Sequence, residues 1–98
     1  MMLELLARKV KRLAERKLVV TPGLVCHEIK ASGFEGLVCD AKIDPHRVMI
    51  TVSVGIEAGL DPAERTREIK ALLVWGCIHE LKIMRPVEVQ VNFRFIKF

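Results

Sequence analysis

Val48-Met49-Ile50-Thr51-Val52-Ser53-Val54-Gly55-Ile56 is the stretch that decides the fold. Its β-branched and aliphatic residues fall on every second position, the two-residue period of a half-buried strand. Leu60-Asp61-Pro62-Ala63-Glu64 follows and has the chemistry of a helix start. Asp61 suits the N-cap, Pro62 the first helical position, and Glu64 completes a capping box. Beyond Arg85-Pro86, the residues Val87, Val89, Val91, Phe93 and Phe95 alternate with Glu88, Gln90, Asn92 and Arg94, a second strand. The second half therefore reads as strand, helix, strand.

Working back from Val48, Asp44-Pro45-His46-Arg47 reads as a tight turn. Leu37, Cys39, Ala41 and Ile43 alternate with Val38, Asp40 and Lys42 in the strand before it. An earlier strand is expected over Leu24 to Lys30, with Val25, His27 and Ile29 on one face, and the glycines between 31 and 36 mark a turn. At the start of the chain, Leu3, Leu6, Ala7, Val10, Leu13 and Ala14 recur at helical spacing, which gives an amphipathic helix with its apolar stripe turned inward. Thr21-Pro22-Gly23 ends it. The expected order is α-β-β-β-α-β. This is an α+β two-layer sandwich, a four-stranded, mainly antiparallel sheet with two helices on one face. Its 98 residues make a single domain.

The second helix is expected from about Pro62 to about Lys82. Its middle, Ala71 to Ile78, is apolar all round and cannot lie on an open surface. The first helix covers it, or another subunit does. Leu72, Val74, Trp75 and Ile78 are the candidate contacts of a homo-oligomer. Gly76 either permits a close helix crossing or marks a kink.

The formal net charge of +4 sits wholly on the first segment. Arg8, Lys9, Lys11, Arg12, Arg16 and Lys17 stand against Glu4 and Glu15, and the remaining charges cancel. A basic helix face attracts phosphate backbones or anionic lipid, so Arg8, Lys9, Lys11, Arg12 and Arg16 are the candidate nucleic-acid contacts. Aromatic stacking groups are sparse, which favours recognition of an RNA backbone over base reading.

Three cysteines at irregular spacing do not form a disulfide framework. They read as small buried residues. Cys26 and Cys39 could be cross-strand neighbours, with His27 next in sequence but on the opposite face of a regular strand, and no paired-ligand spacing marks a metal site. No phosphate-cradling glycine pattern and no nucleophile–base–acid grouping is present, so neither a cofactor nor catalysis is expected. No apolar run approaches the ~18 residues of a membrane span. The basic and apolar order of a secretory signal is missing at the N-terminus. The expectation is a cytoplasmic protein without integral membrane association.

From Gly36 to Leu81, through Val48–Val54 and the helix Arg67–Leu81, the chain resembles ribosome-binding factor A. That resemblance implies a KH-like fold with Trp75-Gly76 at a helix kink, and binding of small-subunit ribosomal RNA through a basic surface. An extra strand before the pair, and the lack of the family's acidic-proline turn, depart from it. Val48 to Gly59, the Leu60-Asp61-Pro62 start and Val87–Val91 are also similar to the alkaline shock protein family. That likeness implies a non-enzymatic, self-associating protein, although the family's usual first half is missing. The order of elements resembles a double-stranded RNA-binding domain too, without its lysine-rich helix start. The favoured expectation is a small non-catalytic binding module with RNA or a ribonucleoprotein as partner. The alternative is a self-associating interaction protein.

Overall fold

The computed structural model describes residues 2–21, 23–24 and 38–96. Two helices, α1 (Met2–Val19) and α2 (Pro62–His79), pack on one face of a sheet of three strands, β1 (Val38–Ile43), β2 (Val48–Glu57) and β3 (Val87–Ile96). The order among the described residues is α-β-β-α-β.

The central strand is β2. It pairs antiparallel with β1, Cys39 opposite Val52 and Ile43 opposite Val48. With β3 it pairs in parallel, Val48 beside Val87 and Val54 beside Phe93. The sheet is therefore mixed, which corrects the mainly antiparallel expectation. The reason lies in α2, which carries the chain back to the end of the sheet where β2 began, and a helical crossover of that kind leaves its two strands parallel.

Among the described residues the sheet has three strands rather than the four expected. Of the strand expected over Leu24 to Lys30, only Leu24 is described, and it makes an isolated antiparallel bridge to Ile56. The remainder, including His27, lies outside the described residues.

The alternation in β2 works as the sequence suggests. Val48, Ile50, Val52, Val54 and Ile56 are fully buried, while Met49, Thr51 and Ser53 are half-buried on the other face. α1 contributes Val10, Leu13, Ala14 and Leu18 to the same core, and α2 contributes Ile69, Leu73 and Cys77. Burying side chains of this size stabilises the fold by about 1.5–3 kcal/mol each. No charged or polar side chain is buried among the described residues.

Local chemistry sets the turns. Asp44 Oδ1 accepts from the backbone N–H groups of His46 (2.7 Å) and Arg47 (2.8 Å), which closes the β1–β2 hairpin. Those two bonds hold the Asp44 carboxyl below its ordinary range. Gly23, just past α1, has φ 84° and sits so close to Leu60 that a Cβ there would run into the leucine side chain.

Candidate functional site

α2 starts where its sequence says it should. The Asp61 side chain accepts from Ala63 N–H at 3.0 Å, and Pro62 opens the first turn. The far end differs from expectation, because regular helix stops at His79 rather than near Lys82. Lys82 takes a left-handed conformation (φ 56°), and Ile83 N–H reaches back to Cys77 O at 3.0 Å. This is a helix-terminating turn that usually carries glycine. Ile83 then plugs into the core.

One side of α2 is core: Ile69, Leu73, Gly76 and Cys77 are buried. Gly76 lies where α1 crosses, and a Cβ there would stand 2.9 Å from Leu13 Cδ2 and 3.1 Å from Leu13 Cδ1. Glycine is present because the two helices approach this closely. The other side carries the apolar surplus outward. Trp75 is 54% exposed and Ile78 44% exposed, with Leu72 and Val74 half-buried beside them. Of the four candidate interface residues, two are open to solvent and Val74 packs partly against the core.

A polar frame flanks Trp75. Lys17 Nζ stands 5.7 Å from the ring centroid, and the His79 ring lies 4.9 Å away. Lys17 also pairs with Glu80 at 2.8 Å, and Arg16 reaches the same carboxylate at 3.1 Å. The hydrogen bond from Lys17 is the main cause that holds the Glu80 carboxyl below its ordinary range. Sequence reasoning missed Lys17 and Glu80 as a unit, since nothing local links positions 17 and 80.

The five candidate basic residues, Arg8, Lys9, Lys11, Arg12 and Arg16, are all exposed. They span an arc of about 160° on α1. At 100° per residue Arg8 and Arg12 share the outward face of α1. Arg16 turns to α2 and its Glu80, while Lys11 lies on the β1 side, near enough to act electrostatically on Cys39.

The cysteines behave as buried apolar residues. Burial pushes the thiols of Cys39 and Cys77 up to about 11, so both stay protonated at neutral pH and make poor nucleophiles or metal ligands. Cys26 and His27, the other members of the candidate metal set, lie outside the described residues. Among the described residues no three His, Cys, Asp or Glu side chains gather into a metal site. No described helix is long and apolar enough to cross a membrane.

No family model matches the chain, and no curated protein does. Solved structures do share its architecture, two helices on one face of a three-stranded mixed sheet. They are forms of the MamM CTD. A cysteine-to-serine variant covers 99% of this chain and 100% of its own, at 16% identity and a TM-score of 0.50. A methionine-to-leucine variant covers 98% and 100%, at 18% identity and a TM-score of 0.50. A double variant with histidine and glutamate changed to alanine gives 99%, 100%, 18% and 0.50. At these identities the likeness is one of fold.

This likeness corrects the KH-like, RNA-binding expectation. The match to the MamM CTD fold covers 99% of the chain.

Proposed function

We propose that this chain is a non-catalytic module that associates with copies of itself, the outward face of α2 being the contact surface. The observation that carries the reading is the pair Trp75 and Ile78. They are large, apolar and about half exposed on a helix whose opposite side already fills the core. A surface tryptophan beside an aliphatic residue, rimmed by charged groups, is the composition of an interface centre. Lys17, Arg16 and Glu80 would form that rim.

The test is molar mass in solution. Light scattering after size exclusion should give a dimer or higher oligomer for the native chain. Ile78→Glu should raise the dissociation constant roughly thirtyfold, or about 2 kcal/mol, and leave the melting of the monomer unchanged. A native chain that stays monomeric at high micromolar concentration would refute the reading.

A further inference from the structure

The end of the molecule where α1 begins and α2 gives way to β3 has its own surface. Two adjoining hollows lie there. One, of about 310 Å³, is lined by Leu3, Leu5, Leu6, Lys9 and Arg85. The other, of about 380 Å³, is lined by Leu6, Leu81, Lys82, Ile83, Met84 and Arg85. Leu6 and Arg85 belong to both, so the hollows form one surface. Every charged residue that lines it is a cation, and none of Lys9, Lys82 and Arg85 is in an ion pair among the described residues. Arg85 makes one long hydrogen bond, from Nε to Pro45 O at 3.4 Å. The one acid in the first turn of α1, Glu4, leaves the helix on the side away from Leu6 and Lys9, given 100° per residue.

Two apolar side chains stand proud of these hollows. Met84 is 95% exposed and Leu5 58% exposed. Protruding apolar tips surrounded by unpaired lysine and arginine fit a surface that is anionic outside and oily just beneath. We propose that this end of the molecule contacts an anionic phospholipid bilayer. Leu5 and Met84 enter the boundary between headgroups and acyl chains, and Lys9, Lys82 and Arg85 pair with lipid phosphates. The same end of a second copy is a poorer occupant, because it would set Lys9, Lys82 and Arg85 against their own like charges. A free anion would pair with the cations but give the exposed Leu5 and Met84 no apolar surroundings. Neither Trp75 nor Ile78 lines the site, and the test below reads vesicle binding and not self-association.

Co-sedimentation of the full chain with vesicles tests this. The chain should pellet with an equimolar mixture of phosphatidylcholine and phosphatidylserine, stay in solution with phosphatidylcholine alone, and leave the anionic vesicles as salt rises. The triple variant K9Q/K82Q/R85Q should bind about a hundredfold more weakly. The variant L5S/M84S, with every charge kept, should lose about tenfold. Both apolar positions are exposed, so that variant should keep its fold, which circular dichroism checks. The proposal is overturned if L5S/M84S binds as well as the native chain, if neutral vesicles bind equally, or if anionic vesicles are not bound. Binding of an RNA oligonucleotide that is tighter than binding to anionic vesicles, and equal in native chain and L5S/M84S, would assign the surface to soluble polyanions and overturn it too.

Discussion

α1 and α2 have the same length, 18 residues each, and use it in opposite ways. α1 separates its chemistry: Val10, Leu13, Ala14 and Leu18 go inward, and its charges go outward. α2 is apolar on both sides through its middle, so the core takes Ile69, Leu73 and Cys77 and leaves Trp75 and Ile78 at the surface. A helix that is amphipathic needs nothing beyond its own sheet. One that has more apolar surface than its sheet can cover carries the surplus outside, where a partner can bury it. The difference shows which helix directs the apolar residues of its middle into the core and which has a surplus there.

The largest effect that could break this comparison is in the core. Leu73→Ala should destabilise the protein by about 3 kcal/mol, read by chemical denaturation, whereas truncating Trp75 on the same helix should cost far less. Equal losses would mean that α2 is buried on both sides within one chain. Next is the helix crossing. Gly76→Leu should cost about 2 kcal/mol through its clash with Leu13. Adding Leu13→Ala in the same chain should cost less than the sum of the two single changes, because the two side chains share one space. Additive losses would contradict the close approach. A smaller effect is expected at the end of α2. Lys82→Gly removes a side chain from a left-handed residue and should stabilise by about 1 kcal/mol, visible as a raised melting temperature.

The smallest effect concerns the rim that joins the helices. The folded-state carboxyl of Glu80 titrates below its ordinary value of 4.5, chiefly because Lys17 donates to it. The stability it contributes is present above that ordinary value and is lost as pH falls through the depressed folded one. Glu80→Gln should therefore lower stability slightly at neutral pH and flatten the acid end of the stability–pH curve, the two proteins converging once the native carboxyl is protonated. An unchanged acid limb would show that the Lys17–Glu80 contact is not kept in solution.

The same contrast explains what could be read in advance. Periodicity located α1, β1, β2 and β3 to within a residue or two, because each has one apolar face and one polar face. Asp61-Pro62 fixed the start of α2, since capping is a matter of neighbouring residues. Its end was misplaced, because a lysine holds the left-handed position where glycine would have signalled a stop. The direction of β3 was missed for a different reason. Alternation shows that a strand is half-buried but not which way its neighbour runs. The candidate site was legible in part. An apolar run predicted that α2 would need cover on both sides, and Gly76 was marked as a possible crossing point. Which of Leu72, Val74, Trp75 and Ile78 would stay exposed depended on where α1 crosses. At 100° per residue the five basic residues lie on one half of α1, but their ion-pair partners could not be read from α1 alone. Arg16 is drawn aside by Glu80, far away in sequence.

The central place of β2 also sets an order of events in time. Its pairing with β1 needs only the Asp44–Arg47 turn to close, a short loop that forms quickly. Its pairing with β3 must wait until the whole of residues 58–86 has been gathered in, α2 included. The hairpin is thus the natural early structure, and β3 is the last strand to arrive. Changes in the Asp44 turn should therefore slow folding, whereas changes in β3 should mainly hasten unfolding.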